Sequence, residues 1–250
     1  SGGVKISQIY GGGGSTSGGP TYNKDYVEIF NSSSSPVNIG GWAIEYGSAT
    51  GTWGSSTSAI FTFPAGTTIQ PCQYLLVASA TASSAGGALT VTPDFTFNTA
   101  MSATNGKVGL FNAVNSAKAC GSETAGTLVD KISYGTGNCP EGTATAALTV
   151  ITGAVRNGDG ATDTDNNSAD FTLVTAPVPH NSASPAPASC SGGTPCPEDV
   201  DGDGQVSSGD IAVMLLDFGP CQGCSSDLDG DGQVSSGDVA LLLLSYGPCP

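Results

Sequence analysis

The stretch "DVDGDGQVSSGD" (199–210) returns 28 residues later as "DLDGDGQVSSGD" (227–238). The apolar runs that follow the two copies, "IAVMLLDF" (211–218) and "VALLLLSY" (239–246), are also closely alike. Each copy is one supersecondary unit that is too small to fold alone, so the two copies are expected to pack on each other. The repeat therefore predicts a separate C-terminal domain over residues 196–250.

Each repeat begins with a twelve-residue loop that carries oxygen ligands at positions 1, 3, 5, 7, 9 and 12 and glycine at position 6. Calcium takes six to eight oxygen ligands, and this spacing delivers them to one point, with position 7 contributing its backbone carbonyl. Magnesium, which needs a tighter octahedron, is the weaker candidate, and the alternative without metal is a pair of solvated acidic turns. Crowded carboxylates repel one another without a cation, so each loop is expected to be strained or disordered until metal binds. The predicted ligands of two Ca²⁺ ions are Asp199, Asp201, Asp203, Gln205, Ser207 and Asp210 in the first loop, and Asp227, Asp229, Asp231, Gln233, Ser235 and Asp238 in the second.

Helices are expected after the loops but not before them. Pro197 and the run "GCSS" (223–226) stand where an entering helix would have to form, and neither sequence supports one. The pattern predicts exiting helices from about 208 to 218 and from about 236 to 246.

Two acidic loops, each followed by one helix and each ending in Asp instead of Glu, resemble the type I dockerin family across residues 198–247. The resemblance implies a small all-α module of two antiparallel helices that docks onto a β-sandwich partner, a cohesin, in extracellular assemblies. It also implies that loop positions 10 and 11 contribute to partner recognition, which here are Ser208, Gly209, Ser236 and Gly237.

The two predicted helices are apolar nearly all the way round. One face can bury against the sister helix, but so small a module cannot cover every side, and exposed apolar surface of this extent marks a protein interface. The alternative is that the N-terminal part of the same chain covers the helices. The residues expected to divide between the module's core and a docking surface are Met214, Leu215, Leu216, Leu242, Leu243 and Leu244.

The chain has eight cysteines and a single histidine, which favours disulfides over a zinc site. Disulfides persist in oxidising surroundings, so the protein is predicted to be secreted, extracellular or attached to the cell surface. A start at Ser1 fits a mature secreted chain, and equally a boundary chosen for expression. The predicted pairs are Cys120–Cys139, Cys196–Cys249 and Cys221–Cys224, with Cys72–Cys190 as a further pair and 196–221 with 224–249 as the rival connectivity in the repeats.

From Val4 to about Thr175, short β-type runs alternate with Gly, Ser and Asn turns, a pattern typical of a β-sandwich. The clearest runs are 4–10, 25–30, 41–46, 59–63, 73–79, 107–111, 127–134 and 170–174. The chain is therefore predicted to be mainly β, with a sandwich over 1–175, a proline-rich linker over 176–195 and the small repeat domain over 196–250.

The series "VKISQIYGGGG" (4–14), "NKDYVEIFN" (23–31), "VNIGGWAIEY" (37–46) and "QYLLVA" (73–78) resembles the bacterial lamin tail domain, an immunoglobulin-like sandwich, across about residues 4–174. The resemblance implies a binding or architectural module. Trp42 is predicted to be a large apolar anchor, with a tight turn at the preceding Gly40–Gly41.

A third acidic stretch, "DTDNNSAD" (163–170), contains Asp163, Asp165 and Asp170 but lacks the twelve-position spacing. These carboxylates could hold a metal, and Asx-turns that close the domain are the favoured alternative.

Charge is divided unevenly along the chain. Residues 1–156 carry six basic and seven acidic side chains, whereas residues 157–250 carry 14 acidic and no basic ones. This acidic segment repels phosphate backbones and anionic membranes. Nucleic acid is therefore an unfavourable partner, and divalent metal is a favourable one. No window has the 18 or more apolar residues that a membrane span requires.

No catalytic arrangement is marked. His180 lies in the proline-rich linker, where a Ser-His-Asp or Cys-His arrangement has no scaffold. The chain is expected not to be an enzyme, and a hydrolase that uses carboxylates such as Glu28, Glu45 or Asp130 is the remaining catalytic alternative.

These observations predict a non-catalytic extracellular assembly protein whose calcium-folded tail docks on a β-sandwich. Because the chain carries a sandwich of its own, the tail of one copy can dock on the next copy, and such a contact propagates into a fibre unless it closes. The alternative is an anchoring or binding subunit that attaches to a cohesin-like scaffold in a cell-surface enzyme complex.

Overall fold

The computed structural model describes residues 3–187, 196–201, 205–221 and 223–248. The chain divides into two compact units, Ser1–Ala186 and Pro187–Pro250, and each unit is described by itself.

The N-terminal unit is a sandwich of two main antiparallel sheets. Its strands are β1 (Val4–Tyr10), β2 (Tyr26–Asn31), β3 (Val37–Asn38), β4 (Ala43–Ser48), β5 (Ile60–Thr62), β6 (Thr68–Ile69), β7 (Tyr74–Ser79), β8 (Phe95–Phe97), β9 (Gly106–Phe111), β10 (Leu128–Tyr134), β11 (Thr152–Arg156) and β12 (Phe171–Thr175). A short helix, α1 (Asn167–Asp170), and 3₁₀ turns at Thr57–Ala59 and Gly158–Gly160 interrupt the loops. The larger sheet has the order β12-β11-β1-β2-β7-β8, in which β8 joins β7 in parallel, and the smaller sheet has the order β10-β9-β4-β5.

The core of the sandwich lies between these two sheets. Val27 and Ile29 of β2 face Ile44 of β4 and Leu110 of β9 across one apolar cluster. Tyr26 points to the opposite face of β2, where it is also buried, in a cluster with other tyrosines. Both faces of the strand are therefore covered, which is why all six residues of β2 are buried.

Trp42, the predicted apolar anchor, packs against the main core, and Trp53 is a second anchor that the prediction missed. Trp53 is fully buried and packs edge-on against Phe111, with ring centroids 5.5 Å apart. Trp42 is only half-buried at the rim of the core. The predicted turn before Trp42 is present, because Gly41 has a φ of 85° and the Trp42 amide donates to the Ile39 carbonyl.

Two predicted disulfides are confirmed. Cys120 and Cys139 are bonded, with Cα atoms 5.5 Å apart, beneath Trp53. Cys221 and Cys224 are also bonded, so the rival pairing within each repeat is wrong.

All cysteines in the described part of the chain are disulfide-bonded. The predicted partners of Cys72 and Cys196, which are Cys190 and Cys249, lie outside the described residues. Disulfides are compatible with a secreted protein. A separate observation is that none of the described helices has the length and apolar character needed to cross a bilayer.

The C-terminal unit contains two helices joined by short antiparallel ladders. Its elements are β13 (Gln205–Val206), α2 (Ser208–Leu216), β14 (Gly219–Pro220), β15 (Gln233–Val234), α3 (Ser236–Leu244) and β16 (Gly247–Pro248). β13 pairs with β16, and β14 pairs with β15. Since the start of each helix therefore lies beside the end of the other, α2 and α3 run antiparallel.

Both helices end two residues before their predicted limits. α2 stops at Leu216 because Gly219 takes a φ of 129° and Pro220 pairs with β15, and neither is compatible with a continuing helix. Gly247 has a φ of 138° and ends α3 in the same way.

Candidate metal centre

The first repeat brings three of its predicted ligands together. Ligand oxygens of Asp199, Asp201 and Asp210 all lie within 4.8 Å of one another. Asp203, the predicted ligand at position 5, lies outside the described residues. Three convergent carboxylates in one loop are an arrangement of hard oxygen atoms that suits a divalent cation.

The second repeat gathers the carboxylates of Asp227, Asp229 and Asp231 within the same limit. Backbone amides of the loop order these side chains. Gly230 and Gly232 each donate to Asp227 at 2.9 Å, and Asp231 donates to Asp229 at 3.0 Å. The amides thus hold the three carboxylates on the inside of the turn, where their mutual repulsion must be offset.

The acids at position 12 have a structural role that the loop pattern did not predict. Asp210 accepts hydrogen bonds from the amides of Val200, Asp201 and Ser207 at 2.7, 3.0 and 2.7 Å. Burial acts to raise the pKa of the Asp210 carboxyl, but these three donors outweigh it and the pKa is lowered. Asp238 accepts the equivalent three bonds in the second repeat. Each of these acids therefore closes its own loop.

The serines at position 9 cap the helices that follow. Ser207 Oγ accepts from the amide of Gly209 at 3.0 Å, and the Ser207 amide donates to the Asp210 carboxylate. These two bonds form a capping box. Ser235 and Asp238 do the same for α3. The spacing Ser-x-x-Asp was visible in the sequence and could have predicted these caps.

The glycines at position 11 have a packing reason in addition to their predicted place on a docking surface. A Cβ atom added at Gly209 would lie 2.4 Å from Asp201 Oδ2. At Gly237 it would lie 3.3 Å from Asp229 Oδ2. Glycine at this position therefore lets the loop carboxylate approach the start of the helix.

The predicted apolar residues of the helices divide between inside and outside. Met214 and Leu242 are fully buried and form a small core with Val206 and Val234. The remaining predicted residues are exposed, and the structure adds one leucine and two aromatic residues that the prediction missed. The exposed set, called the apolar face below, consists of Leu215, Leu216, Phe218, Leu241, Leu243, Leu244 and Tyr246.

Exposure within the apolar face is large. The side chains of Leu216 and Leu244 are 87% and 83% exposed within their unit. Ser208 and Ser236, at position 10 of the loops, are exposed as well.

In the third acidic stretch, the Asp170 carboxylate closes a loop of the sandwich by accepting from residues that precede it, which is a different arrangement from the predicted Asx-turns. Asp170 accepts from the amides of Thr164 and Asn166 and from the Thr164 hydroxyl. The cation beside this stretch is Arg156, whose guanidinium lies 3.7 Å from Asp163 and 3.9 Å from Asp170. Asp165 is exposed.

A buried carboxylate cluster lies next to Arg156. Glu141 lies within 4.8 Å of Asp130 and Asp163, and burial together with these two charges raises the pKa of Glu141 to about 7. A pKa that is raised in the folded state means that protonation favours folding. Stability from this group is complete below the unfolded value of about 4.5 and is lost as the pH rises to about 7.

Glu141→Gln is therefore expected to match the natural chain in stability near pH 4 and to exceed it increasingly up to about pH 8. Urea unfolding followed by tryptophan fluorescence measures this, because both tryptophans lie in the sandwich. Asp165→Asn, which removes an exposed acid from the neighbouring loop, should show no such trend. Equal pH profiles for Glu141→Gln and the natural chain would contradict the prediction.

Fold and site together define a disulfide-bonded β-sandwich protein with a C-terminal unit of two loop-helix repeats. The sequence model of the Lamin Tail Domain family matches residues 1–136, more than half of the chain, and the chain belongs to this family. The sandwich itself continues beyond the match, through β11 and β12.

No curated protein matches the chain. Among solved structures, the chain is similar to the crystal structure of a DUF4876 family protein from Bacteroides thetaiotaomicron VPI-5482, with 13% identity, coverage of 74% of each chain and a TM-score of 0.48.

Proposed function

We propose that this protein is a non-catalytic extracellular assembly protein whose C-terminal unit is a dockerin-like module that folds around two Ca²⁺ ions and docks on a β-sandwich partner. One observation carries the proposal. The same small unit combines two carboxylate-lined loops with an apolar face that its own core leaves uncovered.

The residues present fit calcium. Each loop offers three convergent carboxylates, and the second loop orders them with its own amides. Asp199, Asp201 and Asp210 would hold one ion, and Asp227, Asp229 and Asp231 would hold the other. A bound Ca²⁺ would offset about half of the loop's four negative charges and link the loop to the first turn of the helix, where Asp210 and Asp238 already join the two.

The hydrogen bonds and ion pairs of the buried carboxylates support a non-catalytic role. Asp130 pairs with Arg156, and Glu45 accepts from the amides of Asn115 and Ser116. Glu28 accepts from Ser7 and His180. The three carboxylates that could have served a hydrolase are thus each engaged in holding the sandwich together.

The partner is a β-sandwich that covers the apolar face. A second copy of the chain would supply such a sandwich, and contacts between the tail of one copy and the sandwich of the next would build a head-to-tail fibre. The charge of the chain favours the alternative, in which the partner is a separate scaffold. Residues 157–250 carry 14 acidic side chains and no basic one, so a partner with basic residues around an apolar patch complements them best.

Leu216→Asp/Leu244→Asp is expected to leave the C-terminal unit folded and to abolish docking, because both side chains are almost entirely in solvent. Burying a charge in a desolvated interface is strongly unfavourable, so association should weaken by at least about a hundredfold. Val114→Asp/Ile151→Asp is the matched control, since it adds two charges at exposed apolar positions of the sandwich.

Light scattering and electron microscopy of the pure chain, with calcium and with EDTA, test docking between copies. Calcium-dependent particles that the control retains and the leucine variant loses support the fibre. A monomer in both conditions excludes the fibre. Calcium-dependent binding of the monomer to a purified cohesin, lost in the leucine variant, then supports the scaffold alternative.

A further inference from the structure

The segment that the sequence assigns to a proline-rich linker begins as an ordered strap on the sandwich. The strap, defined as residues 177–184, is bound first through its backbone. Tyr22 donates its hydroxyl to the Pro177 carbonyl at 2.8 Å, and Gln8 Nε2 donates to the Val178 carbonyl at 3.1 Å. Both donors belong to the N-terminal thirty residues of the fold, far from the strap in sequence.

The centre of the strap is His180, the sole histidine of the chain. Its amide donates to Glu28 Oε2 at 2.6 Å, and its ring Nδ1 lies 3.3 Å from the same oxygen. The ring stacks on Tyr74 with centroids 4.6 Å apart and planes 25° apart. Glu28 is only 2% exposed, whereas His180 is 39% exposed, so a buried carboxylate faces a ring that protons can reach.

The far end of the strap is bound by Asp94, Gln73 and Thr92. Ser182 donates its amide to Asp94 at 3.0 Å, and Gln73 Nε2 donates to the Ser182 carbonyl at 3.2 Å. Asn181 Nδ2 donates to the Thr92 carbonyl at 2.9 Å. The strap is therefore bound at both ends, and the contact between His180 and Glu28 lies between these ends.

Three groups on different elements face the imidazole: Glu28 on β2, Tyr74 on β7 and Asp159 in the 3₁₀ turn before α1. The bond with Glu28 is the largest influence and the Asp159 charge acts in the same direction, so the pKa of His180 is raised despite burial. Tyr74 keeps its proton, because burial raises its pKa further still.

We propose that the strap is a pH-dependent latch: residues 177–184 stay on the sandwich while the His180 imidazolium pairs with Glu28, and loss of the ring proton favours their release. Released, these eight residues would lengthen the tether to the C-terminal unit by up to about 29 Å, at roughly 3.3–3.6 Å for each extended residue. The latch would thus set how far the docking module reaches from its sandwich.

The direction of the pH dependence follows from linkage. The imidazole is bound more tightly when protonated, so its contribution is fully present below the pKa of a free histidine, about 6.5. The contribution is lost as the pH rises through the raised pKa of the latched ring. The latch is therefore closed in mildly acidic solution and loosens in mildly alkaline solution.

Two measurements on the full chain in calcium-containing buffer test this. The single imidazole gives one set of NMR signals, and stacking on Tyr74 shifts them by ring current. We expect the signals to titrate above about pH 6.5 and to lose the ring-current shift as they do. Amide hydrogen exchange of the strap, corrected for intrinsic rates, should be several-fold faster near pH 8.5 than near pH 5.5.

His180→Phe retains an aromatic ring over Tyr74 but cannot be protonated. In this variant, the strap amides should exchange at a corrected rate that does not change between about pH 5.5 and pH 8.5. That rate should be close to the rate of the natural chain near pH 8.5. Asp94→Asn is the matched control, because it weakens the far end of the strap and should speed exchange equally at every pH. Strap exchange in the natural chain that is independent of pH, or an imidazole that stays ring-shifted in both charge states, would overturn the proposal.

Discussion

Asp210→Ala is expected to unfold the C-terminal unit and to leave the sandwich intact. The carboxylate accepts from three backbone amides and completes the capping box of α2. An unpaired buried donor costs about 1–3 kcal/mol and a lost N-cap costs about 1 kcal/mol. Those losses approach the whole stability of a small domain, which is of the order of 5 kcal/mol. The proposed calcium ligand would be lost in addition.

Amide NMR spectra check this result residue by residue. Signals from α2 and α3 should collapse into the narrow range of an unfolded chain, while signals from β1 to β12 keep their positions. Asp238→Ala should have the same effect from the other repeat, since the two repeats share one core. Glu198→Gln, which removes an acid outside the loops, should leave the spectrum unchanged. Dispersed helix signals in Asp210→Ala would show that position 12 does not hold the unit together.

Arg156→Met is expected to destabilise the sandwich by about 3–5 kcal/mol, because it leaves a buried carboxylate without its partner. Arg156 is fully buried and donates to Asp130 at 2.6 Å, to the Ile6 carbonyl at 2.7 Å and to the Thr162 carbonyl at 2.9 Å. Asp130 in turn accepts from the Ile6 amide at 2.6 Å. The pair thus satisfies both backbone groups of Ile6 at the register shift in β1.

Urea unfolding by tryptophan fluorescence measures the loss. The double variant Arg156→Met/Asp130→Asn should be less destabilised than the sum of the two single variants, because each single variant leaves one charge of the Arg156–Asp130 pair buried without the other and the double variant removes both. Asparagine retains an oxygen that can accept from the Ile6 amide. A cost below about 1 kcal/mol for Arg156→Met, or additive single variants, would contradict the assigned role of the pair.

Local pattern was enough to predict most of the sandwich. All eight predicted β runs correspond to strands, with ends that differ by at most two residues. Four strands of the sandwich were missed: the two-residue strands β3 and β6, and the longer strands β8 and β11. The run "FTF" (95–97) is too short to show alternation, and "TGAVR" (152–156) contains glycine and ends in a charged residue. β11 is a strand because it pairs between β1 and β12, which is information about distant parts of the chain.

Contacts between distant residues explain the other differences. No local feature marks Arg156 as buried or Trp53 as a better anchor than Trp42, since both depend on what packs against them. The strap is a further case. Its proline content is typical of a linker, yet Gln8, Glu28 and Asp94 bind it from strands and loops that precede it by many residues.

In the repeats, three carboxylates of each predicted set of six ligands lie close together, and the sequence could predict this because ligand spacing is itself local. It also predicted that the leucines would divide between core and surface. It did not predict that the loop acids and serines would act as helix caps, nor which member of each leucine run faces outward. Which side of a nearly all-apolar helix is buried depends on the position of its partner helix, and the periodicity of the sequence does not show that position.

The most direct test of the central claim is a calcium titration of the metal-free chain, followed by amide NMR and by equilibrium dialysis. The proposed function predicts that two Ca²⁺ ions bind to each chain and that the signals of α2 and α3 become dispersed as they bind, while the sandwich signals stay unchanged. Helix signals that are fully dispersed in EDTA, or a chain that binds no calcium, would contradict it.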